Sequence, residues 1–351
     1  MRTNSFRLAT QLDRSRDLPL RIKIMCASDL FCTEEEKDIF RILLQHSARW
    51  ETISLDGCAD LYSGIRNRGP LPLPILRTVR IEMWHDDDSP PLLDMFQYAP
   101  QLQEAFINKE LWRYVINVGL PWPQLFRYGG SNSWSGHLEA LCCASNLVEC
   151  TLDVGDAPQP GPPHVPILMP QLLRLSLSHY GLLACLETLA LVEFYCNCDC
   201  NSLSRDLPLI LRRLPCTVEK LVLSADKYVP SLVGIVEAVP TVKHLGFLSC
   251  PPPDMLRSFL GSVSKLAPAL EQMAFYLDDA EGYENLLGVA ESSVWVAGRL
   301  PSLRMAVSGV GPNLNLHRIF STEWNYYRQG VSRPPPVSRP LVNISSRHRD
   351  V

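Results

Sequence analysis

One short pattern recurs along this chain and restricts its fold more than any other feature. It runs apolar, two residues of any kind, apolar, one residue of any kind, apolar. It reads "WETISL" from Trp50, "LRTVRI" from Leu76, "LQEAFI" from Leu102, "LVECTL" from Leu147 and "LLRLSL" from Leu172. It returns as "LVEFYC" from Leu191, "VEKLVL" from Val218, "VKHLGF" from Val242 and "LEQMAF" from Leu270. A degenerate copy, "LFRYGG", starts at Leu125, and a poorer one, "LRMAVS", at Leu303. Copies follow one another at roughly 25 residues, a period that encodes stacked supersecondary units.

The segments between copies carry apolar residues at helical spacing. "SPPLLDMFQYAP", "SGHLEALCCASN", "DLPLILRRLP", "VPSLVGIVEAVP" and "PPDMLRSFLGSVSKLAP" all fit a helix, and several end in proline just before the next copy. Proline stops a helix, and the apolar residue after it opens a strand. Upstream, "TEEEKDIFRILLQHSARW" predicts a helix with a Thr33–Glu36 capping box and a buried stripe of Ile39, Phe40, Leu43 and Leu44. "LPLRIKI" at 18–24 predicts a strand before it. Strand and helix alternating at this period predict an α/β leucine-rich-repeat-like solenoid, or horseshoe, with parallel strands on the concave face and helices on the convex face. About ten strands at roughly 4.8 Å spacing would span about 45–50 Å. The predicted organisation is a disordered segment over 1–16, an irregular repeat domain over 17–329, and a disordered Pro/Arg-rich tail over 330–351.

Composition narrows the function. Of 351 residues, 46% are apolar and 20% charged, so a core is expected. A net charge of −4 lacks the basic footprint of a nucleic-acid or anionic-membrane binder. The start, "MRTNSFRLATQLDRSRD", has no apolar core of a secretory signal, and Glu187 and Glu193 break the longest apolar stretch, so no membrane span is expected. Twelve cysteines without a signal peptide read as reduced thiols, which suits the cytosol or nucleus.

The phrases "RIEMWHDDDSPPLLDMFQYAPQLQEAFINKELW", "LPWPQLFRYGGSNSW" and "PTVKHLGFLSC" resemble the region after the F-box in a large group of fungal F-box proteins. The resemblance runs from "LDRSRDLPLRIKI" to near residue 310. It implies a repeat domain that holds a protein to be ubiquitylated, joined to an F-box that binds the Skp adaptor of a cullin–RING ligase. The polar residues before "LDRSRDLPL" are too few for that three-helix module. The expectation is therefore a repeat domain without its adaptor site in this sequence, with Skp and cullin as partners only where an F-box exists. A stand-alone repeat scaffold unconnected to ubiquitin and an uncharacterised α/β enzyme are the alternatives.

No motif nominates catalysis, a cofactor or a metal. Asp86, Asp87 and Asp88, before Ser89 and Pro90, read as an acidic helix cap rather than a cation site, and Asp278 and Asp279 suit the same role in another repeat. Cys196, Cys198 and Cys200 lack zinc-ligand spacing and read as core or loop thiols, and Cys142 and Cys143 as buried helix thiols. The eight histidines are scattered, and no nucleophile elbow or phosphate loop occurs.

Alternation along the strands instead predicts two rows on the concave face. The first is Thr52, Thr78, Glu104, Arg127, Glu149, Arg174, Glu193, Lys220, His244 and Gln272. The second is Ser54, Arg80, Phe106, Gly129, Thr151, Ser176, Tyr195, Val222, Gly246 and Ala274. A charged row beside a small-residue trough suits an extended segment of another protein. Arg80, Glu104, Phe106, Arg127, Glu149, Arg174, Glu193, Tyr195, Lys220 and His244 are its candidate contacts, with Phe106 and Tyr195 as anchors. The charges could equally do no more than pair across strands.

Overall fold

The computed structural model describes residues 3–25, 33–57, 70–83, 94–109, 118–154, 165–196, 203–223, 232–247, 253–277, 304–309 and 342–344. The chain is α/β, and among the described residues the strand pairings within each unit are parallel. It divides into two compact units, Met1–Pro160 with Ser338–Val351, and Gly161–Val337.

In the first unit, strands β1 (Leu20–Met25), β2 (Trp50–Gly57), β3 (Thr78–Met83), β4 (Glu104–Lys109), β5 (Arg127–Asn132) and β6 (Glu149–Val154) lie side by side in chain order. Helices α1 (Thr3–Arg14) and α2 (Glu34–Leu44) flank β1, and α3 (Trp134–Cys143) joins β5 to β6. The Thr33–Glu36 capping box closes as expected, with Glu36 N donating to Thr33 Oγ1 at 3.2 Å and Thr33 N to Glu36 Oε2 at 2.7 Å. Residues 3–14 are helical rather than disordered. Leu8 and Leu12 are buried, and Arg49 donates to Leu12 O, Leu18 O and Ser15 Oγ, binding the C-terminal end of α1 to the start of β2. In the expected tail, Val342–Ile344 forms a strand beside β1.

In the second unit, β8 (Arg174–Leu177), β10 (Glu193–Cys196), β11 (Lys220–Leu223), β12 (His244–Phe247), β13 (Gln272–Leu277) and β14 (Arg304–Gly309) are neighbours in that order. Helices α4 (Leu203–Leu211), α5 (Leu232–Ala238) and α6 (Pro253–Leu266) connect β10 to β13, and α5 packs against both of the others. Two short strands, β7 (Ile167–Met169) and β9 (Leu186–Thr188), form a separate pair that the repeat pattern does not announce.

The pattern is a ladder in three dimensions. Its first anchors, Trp50, Leu76, Leu102, Leu125 and Leu147 in the first unit, and Leu172, Leu191, Val218 and Val242 in the second, are all buried. Each is worth about 1.5–3 kcal/mol against exposure. The second anchors align in register behind them, Ile53↔Val79↔Ala105↔Tyr128↔Cys150 and Leu175↔Phe194↔Leu221↔Leu245↔Met273.

A repeated turn starts most of the rungs. The first anchor's N–H bonds the carbonyl three residues back: Leu76 to Leu73, Leu102 to Ala99, Leu125 to Trp122, Leu147 to Ala144, Leu172 to Met169, Val242 to Val239 and Leu270 to Ala267. The residue after that carbonyl is Pro74, Pro100, Pro123, Pro170, Pro240 or Pro268, and Ser145 in the remaining copy. Proline suits this turn position, where its φ is already set and its missing N–H is not needed. Six of the 29 prolines therefore belong to the turn that starts a strand. In "SPPLLDMFQYAP" the described element is a 3₁₀ turn, Asp94–Phe96, where the helical spacing predicts a longer helix.

The degenerate copy has its own reason. Gly130 has φ +148°, and a Cβ there would lie 1.8 Å from Ile107 O, so only glycine fits. Gly130→Ala should therefore cost about 3 kcal/mol or more, measured by urea unfolding. Gly261, inside α6 with nothing within 4 Å of its would-be Cβ, should respond in the opposite sense. Gly261→Ala is expected to stabilise by about 0.5–1 kcal/mol.

Candidate functional site

The face of the first unit's sheet opposite the anchors carries the predicted rows in the predicted register. Thr52 pairs with Thr78, Thr78 with Glu104, Glu104 with Arg127, and Arg127 with Glu149. Two residues on, Ser54, Arg80, Phe106, Gly129 and Thr151 form the next row.

The first row is internally compensated. Arg127 Nη1 lies 2.9 Å from Glu104 Oε1, and its Nε lies 3.1 Å from Glu149 Oε2, so one guanidinium bridges two carboxylates on adjacent strands. The Nε contact is an ion pair outside hydrogen-bond geometry. At the end of the row Arg21 pairs with Glu51 at 2.9 Å.

The second row has a different construction. The Arg80 guanidinium sits 4.8 Å from the centre of the Phe106 ring, a cation–π contact worth about 0.5–1 kcal/mol at such exposure. The ring leans over Gly129, where a Cβ would come 2.9 Å from Phe106 Cδ1. The glycine leaves the floor on which the aromatic ring lies, and the ring keeps part of its surface in solvent.

The face extends two residues beyond the predicted rows. Lys23, exposed and in register with Ser54, extends the second row onto β1. A third row, Asp56, Glu82 and Asn108, continues across β2–β4, with Ser131 and Asp153 at the same level on β5 and β6. Ser131 Oγ donates to Asp153 Oδ2 at 2.7 Å. Extending the period-two alternation beyond the third anchor would have found these positions. The face therefore runs from a self-paired row, through a basic and aromatic row, to an acidic row.

Behind it lies a buried polar contact. His137, fully buried in α3, donates from Nε2 to Asp153 O at 3.0 Å, and its Nδ1 faces the Tyr128 hydroxyl at 3.5 Å. Burial lowers the His137 pKa to about 4 and raises those of Tyr128 and Cys150, so all three stay neutral.

In the second unit the first row is again in register, Arg174↔Glu193↔Lys220↔His244↔Gln272, and half-buried. The second row corrects the expected open trough, because Ser176, Tyr195 and Val222 are buried, with 1%, 2% and 0% exposure. Tyr195 is thus no surface anchor. Its hydroxyl donates to Glu193 Oε2 at 3.2 Å, and Lys220 Nζ stands 5.2 Å from its ring centre. Strands buried on both faces read as continuous apolar runs. "FYC" and "LVL" are such runs, whereas "ISL" and "VRI" in the first unit alternate.

Cys142 and Cys143 are exposed, not buried, because Trp134, His137, Ala140 and Leu141 take the inner side of α3. Cys196 is buried, whereas Cys198 and Cys200, the acidic run 86–88, and Asp278 and Asp279 lie outside the described residues. Among the described residues no three His, Cys, Asp or Glu side chains gather as a metal site, and no helix is long and apolar enough to cross a membrane. The sequence matches no protein-family model and no curated protein.

Two outcomes follow from this geometry. Arg127→Met should destabilise the chain by about 1 kcal/mol, since the three side chains remain 37%, 23% and 16% exposed. Glu104→Gln and Glu149→Gln cycles should show the coupling, and it should shrink in high salt. For His137 the folded pKa lies below the ordinary value of 6.5. Protons therefore bind the unfolded chain first as pH falls. The neutral ring's contribution is whole above about pH 6.5 and is lost on descent to about pH 4, on the order of 3 kcal/mol in all. His137→Gln should flatten the dependence of the urea midpoint on pH across that window.

Proposed function

We propose that this chain is a non-enzymatic protein-interaction module, a leucine-rich-repeat solenoid whose first-unit strand face holds an extended segment of one partner polypeptide. Parallel strands adjacent in chain order, joined in several copies by helices, support the solenoid reading. The observation that carries the binding reading is the Arg80–Phe106–Gly129 arrangement. It sets a half-exposed aromatic ring, held flat and capped by a cation, in the middle of an otherwise polar face. Rigid aromatic and arginine side chains supply most of the energy at protein interfaces. The acidic third row beside it favours a partner segment that carries basic residues next to an apolar one.

The resemblance to fungal F-box proteins makes the partner a protein presented for ubiquitylation, with Skp adaptor and cullin engaged only through an F-box. The cytosol or nucleus remains the proposed compartment. In this reading the first-row charges Glu104, Arg127 and Glu149 set the surface between partner and core, and Arg174, Glu193, Lys220 and His244 do so in the second unit.

The test is quantitative interaction proteomics on tagged chain, comparing wild type with Arg80→Glu/Phe106→Ala and with Arg41→Ala, a control on the exposed side of α2. A partner of this face should be captured with wild type and the control and fall about tenfold or more with the double variant. Equal capture by all three, with circular dichroism unchanged, would overturn the assignment of the face. Adaptor and cullin subunits in the wild-type capture would support the ligase reading over a stand-alone scaffold.

A further inference from the structure

Strand β1 pairs on one side with β2, and on the other with Val342–Ile344, labelled β15, in parallel register Ile22↔Val342, Lys23↔Asn343 and Ile24↔Ile344. The three residues "VNI" repeat the apolar–polar–apolar order of "IKI" in β1, "ISL" in β2 and "VRI" in β3. Their backbone register therefore continues the strand order of the first unit, with the same residue order along the strand. A sequence separation of more than 300 residues means that no local turn imposes this pairing.

We infer that the outer edge of β1 is a strand-addition site for an extended apolar–polar–apolar peptide, and that the chain's own segment around Val342–Ile344 occupies it in cis. Three observations carry this. The edge of a parallel sheet presents unpaired N–H and C=O groups that template another strand. The backbone register sets the apolar–polar–apolar sequence of this segment level with that of β1. The segment Ser338–Val351 groups with the first unit rather than with the second-unit residues that immediately precede it in sequence. A three-residue strand is shorter than the mean strand, so the pairing opens at low cost and the site is exchangeable. The inference concerns an edge, not the strand face, and stands independently of the proposed binding surface.

The experiment uses the full chain with Asn343→Pro, which removes one N–H and one ladder position from the segment. The probe is a fluorescein-labelled peptide of residues 338–351, "SRPLVNISSRHRDV". Amide exchange at Ile22–Ile24 should be at least tenfold faster in the variant than in wild type, and saturating peptide should restore it. The peptide should bind the variant at least tenfold more tightly than wild type, and the same peptide carrying proline at position 343 should bind neither. Ile344→Asp, a milder change to the same segment, should reproduce the variant's behaviour. Unchanged β1 protection in both variants, equal peptide affinity for wild type and variants, or failure of the peptide to restore protection would each overturn the inference.

Discussion

A single shared carbonyl organises seven of the steps from one strand to the next. The residue just after the first anchor offers its C=O to two successive N–H groups of the next copy. Arg77 O receives Gln103 and Glu104, Gln103 O receives Phe126 and Arg127, and Phe126 O receives Val148 and Glu149. The second unit repeats it, with Leu173, Val192, Glu219 and Lys243 each accepting from the pair of residues that opens the next strand. This contact sets where each strand begins relative to its neighbour. Because side chains alternate with period two, a slip of one residue in the first unit would turn Ile53 and Val79 toward solvent and Arg80 into the core. Anchor burial and strand register therefore stabilise the same arrangement.

That coupling explains why so much of the sheet was legible. Anchors and row positions read from a spacing alone reappear, copy by copy, as register partners. What spacing does not report is which face a further layer covers. In the first unit the residue between second and third anchors is Ser54, Arg80 or Phe106, and it keeps contact with solvent. In the second it is Ser176, Tyr195 or Val222, and it is buried. The chemical difference is present in the sequence, but small and aromatic residues fit the floor of an open trough as well as a covered layer. The side chain of Tyr195 is the informative case, since a tyrosine on a strand fits either an interface or a core whose polar end finds a partner. Glu193 supplies that partner. The helix at 3–14 was missed for another reason: its polar composition hides two apolar positions one helical turn apart, Leu8 and Leu12, which are all it buries.

The charged row is a matter of magnitudes. Arg127 satisfies two carboxylates at once, and exposed or half-exposed pairs of this kind contribute at most about 1 kcal/mol each. Such a row keeps the sheet soluble and holds its side chains in place, and a partner would have to break these pairs to use them. Lys243 and Glu219 form a similar pair at 2.8 Å in the second unit. Alternating charge in the sequence is thus weak evidence for a ligand. The second row offers more, because Phe106 has apolar surface to lose and Arg80 already holds it in place, so that binding orders little that is not ordered beforehand.

The division between constant and variable parts follows from the same geometry. The turn before the first anchor, the shared carbonyl and the strand are repeated closely. The link back to the next turn is not: it is a helix in α3 to α6, but among described residues only a 3₁₀ turn before β4 and before β5. A helix can be exchanged for a shorter link because the ladder is fixed at the turn and strand, not along the return path. Side chains on the turn reinforce this, with Gln124 donating to Ala99 O and Leu102 O, Asn146 to Pro123 O and Thr241 to Val218 O, each reaching the preceding copy. Row positions lie outside both constraints. They neither fill the core nor form the turn, so their chemistry can be set by what the face must touch without altering the rungs that carry it.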